Sequence, residues 1–386
     1  MPDPQPENTP IFDVQWATII ETQAGVVGSM HQQFYKNHFY NFGDIEDPAT
    51  IYAFNADTGE KDWTHIYDPN LDPYKIRQNI RYENFLIATT QNRIFAFNLD
   101  TQEIEWEHDL NQLNFRLGVF TLAANGLVYL VVDYFQGEYH EVRLLEFQPS
   151  TGVYRNFYTF EDDSIGFKNV SPPAYFEKDG EGYLVFNEYE KYASPPQEGI
   201  QNLTAFNIET KERLWHRKNI SDAYPSNGLY PPVIHKNTVI TGGDGTLYAF
   251  DLFSGQSKWN FETEEFAGAW GTTKSLIHND RLYANPTGFD IYCLNPETGE
   301  LIWENDVAPN CTDNMLYYEK EDALVFTSWG YGSVMILDTL TGELIHREKQ
   351  YEGDNYNNDI AYDPVRDMFF TTTYIHAVAF KLNIPD

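Results

Sequence analysis

Thirteen residues, IYAFNADTGEKDW at 51–63, return almost unchanged as IFAFNLDTQEIEW at 94–106. A chain that repeats a phrase of this length at a steady interval is built from modules, and the interval selects the architecture. The apolar residue before an Asn or Asp marks most copies: Phe54, Phe97, Phe147, Phe206, Phe250, Leu294, Leu337 and Phe380. Successive anchors lie 43, 50, 59, 44, 44, 43 and 43 residues apart. Nine positions after the anchor stands Trp63, Trp106, Trp215, Trp259 or Trp303, with Asn156 and His346 in the third and seventh copies.

The segments on either side of each Thr-Gly turn alternate in polarity, the period of a strand, so each copy predicts a β-hairpin. Glycine supplies the positive φ of the turn, and Asp57 and Thr58 with their equivalents can bond their own backbone. Two more alternating segments precede each hairpin, as in NFLIATTQNRIFAFN. Four short strands per module is the period of a propeller blade, and closure removes the open ends a solenoid would leave. Only six residues follow Phe380, so the last copy lacks its own Trp strand. FDVQWATI near the N-terminus supplies it, with Trp16 in the place of Trp106. The expectation is all-β: eight blades of four antiparallel strands over 13–382, behind a flexible stub at 1–12. Seven blades is the alternative if the third or last copy forms none.

The phrase LYAFDLFSGQSKW and its siblings resemble the repeat of pyrroloquinoline-quinone-type (PQQ-like) propellers over about Asp13 to Leu382. That resemblance implies the same fold. It covers eight-bladed quinoprotein alcohol dehydrogenases and the noncatalytic lipoprotein of the bacterial outer-membrane β-barrel assembly machinery. The dehydrogenases place adjacent cysteines against the quinone; here Cys293 and Cys311 stand apart, and no Cys-x-x-Cys-His haem motif occurs. No cofactor, no metal and no PQQ-dependent oxidation are therefore expected. Cys293 falls in an alternating apolar stretch and reads as a buried small residue.

Fifty-eight Asp plus Glu against 25 Lys plus Arg gives a net charge of −33. Such a surface repels nucleic-acid phosphates and anionic membranes, so nucleic acid is not an expected partner. No apolar run reaches the roughly 18 residues of a spanning helix. MPDPQPENTPIF shows no leader pattern, and a segment absent from this chain could still direct export or carry a lipid anchor. A periplasmic or otherwise exported monomer is the expectation.

A repeated turn cannot be a catalytic centre, which needs one converging constellation. Candidate sites lie where the repeat is broken. The long spacings place insertions at Tyr134–Glu141 in the third blade and Glu188–Asn202 in the fourth, with a connection at Tyr158–Pro173 between them. These segments predict one raised rim of loops, with Tyr134, Phe135, Tyr139, Tyr189 and Tyr192 as anchors for a protein or glycan partner. The plainer account of each is that it packs inward. A second candidate is an axial funnel at the start of the inner strands: Arg77, Asn79, Arg116, Lys168, Asn227, Trp270, Asn314 and Asn358. Bases gathered there would focus an anion; the plainer account is polarity toward channel water. The predicted function is a noncatalytic envelope scaffold or binding module. A carbohydrate-binding propeller, or a hydrolase or lyase using the funnel, stands as the alternative.

Overall fold

The computed structural model describes residues 10–20, 32–42, 50–68, 76, 78–90, 92–122, 125–136, 139–160, 168–191, 199–221, 231–243, 245–262, 275–285, 290–306, 315–328, 331–356 and 358–384. The chain is an all-β, eight-bladed propeller of mostly four-stranded antiparallel sheets. Its contacts divide it into two compact units, Met1–Ile76 with Cys311–Asp386, and Arg77–Asn310.

The first unit holds three blades. The first blade runs through Gln33–Tyr35, His38–Phe42, Thr50–Asn55 and Lys61–Ile66. The seventh runs through Leu316–Tyr318, Ala323–Ser328, Ser333–Asp338 and Leu344–Glu348. The eighth has only three consecutive strands, Ala361–Asp363, Met368–Thr372 and His376–Leu382. Its outer strand is Phe12–Ile19, paired antiparallel from Phe12↔Leu382 to Ile19↔His376. The missing final strand is thus supplied from the other end of the chain, as the repeat count requires.

The second unit holds blades two to six, and its fourth blade has a fifth strand. Lys168–Val170 and Ala174–Lys178 pair in succession along the C-terminal and N-terminal halves of Glu181–Lys191. The core of each unit is a series of apolar layers between neighbouring sheets. Trp16, Phe39, Phe54 and Phe370 fill one such layer in the first unit; Trp215, Val185, Phe250 and Leu252 fill one in the second.

The repeated phrase builds the joint between successive blades. After the anchor, Asn55 Oδ1 accepts from the backbone N–H of Asp57 and Thr58 at 3.0 and 3.2 Å, and Thr58 Oγ1 accepts from Glu60 N–H. Asn98, Asn207, Asp251, Asn295 and Asp338 repeat the two-pronged acceptor. The side chain that fixes the turn is therefore the residue after the anchor, not the Asp before Thr as the sequence suggested. Asp57 instead receives two hydrogen bonds from Arg366, at 2.7 and 3.2 Å, and Arg366 also reaches Asp363 and Asn37. One guanidinium ties the eighth blade to the first.

Glycine closes the turn for two reasons. At Gly59, Gly152, Gly255 and Gly299 φ is +66° to +74°. A Cβ there would also lie 2.5–2.7 Å from the indole of Trp16, Trp106, Trp215 and Trp259 respectively. Each indole N–H donates to a carbonyl of the same turn, at 2.7–3.1 Å on Ala56, Pro149, Leu252 and Pro296. Trp and Gly are two halves of one wedge. The third–fourth joint lacks both halves: Asn156 replaces the Trp and Lys211, at φ +62°, replaces the Gly. Lys211 Nζ donates to Phe157 O at 3.2 Å and lies 3.6 Å from the Phe157 ring centre. Tyr158 and Phe206 fill the layer behind it, with centroids 4.6 Å apart.

Candidate functional site

The second strand of a blade has four to six residues in six of the eight blades. In the third it is Val128–Gln136, nine residues, and in the fourth Glu181–Lys191, eleven. Register continues to Gln136↔Tyr139 and to Lys191↔Gly199. The insertions are therefore paired β-ribbons rather than loops. Tyr, Phe and Val alternating with polar residues suit a pleated surface, so the extra sequence continues the hairpin. Insertion length is read from spacing, whereas strand continuity is decided by pairing, which spacing does not report.

Tyr134 and Tyr189 are the rim candidates whose side chains are described. Tyr134 is half-buried, packed edge-on against Phe115 with centroids 5.8 Å apart. The Arg143 guanidinium lies 3.5 Å from the Tyr134 ring centre, and its Nε donates to the buried Glu141. Tyr189 is a correction: it is 4% exposed, and burial pushes its hydroxyl pKa far up. Alternation turns it toward the fifth blade together with Asn187 and Gln201, so it cannot anchor a partner. Phe135 and Tyr139 lie in the ribbon strands and are placed by backbone alone; Tyr192 falls outside the described residues.

Of the inner-strand candidates, Asn79 is fully buried in Gln78–Tyr82. Asn358 is buried in the first unit: its amide donates to Thr372 at 2.5 Å and its carbonyl accepts from Thr327 at 2.7 Å. It stitches the second strands of the seventh and eighth blades together. Arg116 and Lys168 lie on strands placed by backbone alone, and Arg77, Asn227, Trp270 and Asn314 fall outside the described residues.

Two buried polar groups on the extended fourth blade escaped the sequence reading. On the face toward the fifth blade, Gln201 Nε2 donates to Asn187 Oδ1 and to Gly242 O, both at 2.9 Å, and Thr241 Oγ1 donates to Asn187 at 2.9 Å. The Gly242 carbonyl fixes the orientation of the Gln201 amide, since reversal would set oxygen against oxygen. On the opposite face, Thr204 Oγ1 donates to Glu188 Oε1 at 2.5 Å and lies 2.6 Å from His216 Nδ1. The Thr proton is directed at the carboxylate, so the His nitrogen carries its own proton toward Thr204. Glu188 is 2% exposed on its side chain. The signal was present in LVFNEYE and GIQNLTAF: polar residues occupy both faces of strands that are otherwise apolar. Both groups hold the ribbon base to its neighbours.

Among the described residues no group of three His, Cys, Asp or Glu side chains is placed to hold a metal ion. Cys293 is fully buried, its thiol pKa pushed up to about 12 by burial.

Repeat, sheet order and Trp–Gly wedge together define the class, an eight-bladed β-propeller. Residues 198–317 match the family model described as outer membrane protein assembly factor BamB. An uncharacterized protein of Rickettsia conorii is 24% identical over 116 residues, 27% of this chain and 28% of that protein. The match thus spans little more than a quarter of that curated relative. BamB from Moraxella catarrhalis superposes with a TM-score of 0.62 at 12% identity, over 96% of this chain and 100% of that one. Quinohemoprotein alcohol dehydrogenase from Comamonas testosteroni gives 0.64 at 11% identity, over 97% and 78%. The fold is one shared by an assembly factor and by quinoprotein dehydrogenases. Among the described residues no helix is long and apolar enough to cross a membrane.

Proposed function

We propose that this chain is a noncatalytic docking module of the cell envelope that holds a protein partner on its third and fourth blades. The observation that carries this reading is the pair of long β-ribbons on two adjacent blades, where the second strands elsewhere have only four to six residues. Strands paired as far as Gln136↔Tyr139 and Lys191↔Gly199 have little conformational freedom left to lose, so association on them costs less than it would on a loop. Buried hydrogen bonds at the base of the fourth ribbon keep it stiff. The family-model match at 198–317 takes in part of this blade and supports the envelope setting. The acidic surface favours a protein over nucleic acid or an anionic bilayer.

The dehydrogenases that share this repeat set adjacent cysteines against the quinone, and Cys293 and Cys311 are not adjacent. The residues present do not fit that group, and no oxidation step is assigned to them.

The test is to trim each ribbon to ordinary length. Tyr134 can be joined to Glu141, and Tyr189 to Gln201, through Asn-Gly, because each pair faces across its ribbon. In-cell crosslinking should lose the partner while the thermal transition stays within a few degrees. Partner capture unchanged by trimming would sink the proposal; capture of glycans instead of protein on an array would replace it with the carbohydrate reading. If the double trim fails to fold, the single trims carry the same comparison.

A further inference from the structure

The outer strand of the fourth blade, Arg213–Ser221, reads RLWHRKNIS. It carries Arg213, Arg217 and Lys218 and no acid, in a molecule with 58 Asp and Glu. No other outer strand resembles it. Glu103–Asp109 holds four acids, Lys61–Ile66 balances one Lys with one Asp, and Leu344–Glu348 balances one Arg with one Glu. Two cations on other outer strands are paired with carboxylates: Arg155 bonds Glu146 at 2.6 Å and Lys258 approaches Glu297 at 3.2 Å.

Arg213, Arg217 and Lys218 are exposed, and none has a carboxylate oxygen within 4.0 Å among the described residues. Arg213 and Arg217 lean over Phe206 and Phe250, at 5.5 and 6.0 Å from the ring centres, so apolar packing positions their stems while the charge faces outward. His216 of the same strand turns inward to Thr204 and takes no part. The strand is also the end of its sheet, bonded on one side only to Gly199–Asn207. It is the longest of the outer strands, because it follows the ribbon as far as Gln201↔Ser221.

Three unpaired cations on a sheet edge have a plain use: they keep that edge from pairing with another copy of itself, since an isologous pair would oppose like charges. The same arrangement selects for a strand of opposite charge. We propose that the edge Arg213–Ser221 is a docking surface for an extended acidic segment of a protein partner. Carboxylates of that segment complement Arg213, Arg217 and Lys218. A second copy of this chain is disfavoured there by its own edge charge. This deepens the docking reading of the third and fourth blades and rests on it.

The probe is a short fluorescein-labelled peptide of alternating Glu and Thr, titrated with the full chain by anisotropy at low and at physiological salt. The expected result is saturable binding that weakens as salt rises. Binding should fall about tenfold or more in the charge reversal Arg213→Glu, Arg217→Glu, Lys218→Glu, as three lost or inverted ion pairs predict. The neutral triple variant to Gln should lie between. It also serves if the reversal disturbs folding. A Lys-Thr peptide should not bind. Absence of binding, or equal binding to the Gln variant, overturns the proposal. Preferential binding of phosphatidylglycerol vesicles by the same three residues overturns it in favour of a lipid surface. The ribbon-trimmed protein separates this claim from the docking reading: peptide binding retained after trimming, with partner capture also retained, would refute the tips and leave the edge.

Discussion

Two joints in the second unit do the same work in different ways. Between the fourth and fifth blades a single Trp215 is pressed onto Gly255 and bonded to Leu252 O. Between the third and fourth, Asn156 and Lys211 stand at the two wedge positions, with neither indole nor glycine, and Phe157, Tyr158, Phe160, Phe186 and Phe206 fill the layer. The first joint is a wedge that concentrates stability in one side chain; the second spreads it across many rings. The spread joint belongs to the two blades that carry ribbons. At this joint both blades have long strands to supply extra packing, whereas at the Trp215 joint only the fourth blade has them.

The largest effect should follow removal of a whole wedge. Deleting residues 1–20 takes away the strand Phe12–Ile19 with Trp16 and leaves an unpaired edge on the eighth blade. Loss of the cooperative thermal transition is expected, and an unchanged melting temperature would refute the closure. Next is Trp215→Ala, at about 3–5 kcal/mol, read from denaturant midpoints. Gly255→Ala should cost a good part of this, because its Cβ meets the indole at φ +66°. Lys211→Ala at the other joint should cost about 1–2 kcal/mol, the scale of one hydrogen bond with a half-buried ring contact. If the two Ala variants cost the same, the contrast between the joints is wrong.

A cycle sharpens the comparison. Asn156→Trp with Lys211→Gly rebuilds the wedge at the spread joint. The double variant should exceed the sum of its singles by about 1 kcal/mol, a coupling typical of residues in contact. Additive behaviour would show that the rings already fill the space an indole needs.

The smallest effect concerns acid. The Arg366 hydrogen bond holds the Asp57 carboxyl below its ordinary value of 3.8. A depressed carboxyl contributes stability above that value and loses it as pH falls through the folded one. Wild type and Arg366→Gln should therefore differ in melting temperature near neutrality and converge in acid, once the pH has fallen below the lowered Asp57 value. The Asp57 side chain is 59% exposed, so the gap should be small and should shrink with salt.

The architecture was legible because it is written eight times. Phe54 and its equivalents, the Trp nine positions later and the missing last strand fix blade number and closure, which depend on local pattern alone. The candidate site was less legible because it departs from the pattern. Spacing located Tyr134 and Glu188 within insertions but could not show that the insertions pair as ribbons, nor that Tyr189 turns inward. A strand position reveals its face only once register is known. The cations at Arg213, Arg217 and Lys218 were visible in the sequence but gained meaning from the sheet order, which puts them on an edge, and from the absence of carboxylates within 4.0 Å among the described residues.

Phe12 and Leu382 face each other across the closing sheet, and Asn383 N–H donates to Ile11 O at 2.9 Å. Bringing those partners together closes a loop of nearly the whole chain. The entropy of closure grows by only about 0.6 kcal/mol for each doubling of length. Set against a loop of one blade, that is about three doublings, or roughly 2 kcal/mol, less than burial of a single Trp16 returns. The two ends could therefore be ligated by a short linker and the chain reopened at an ordinary short hairpin turn. Such a permuted gene would encode the same eight sheets, with the late-forming contact moved to another blade.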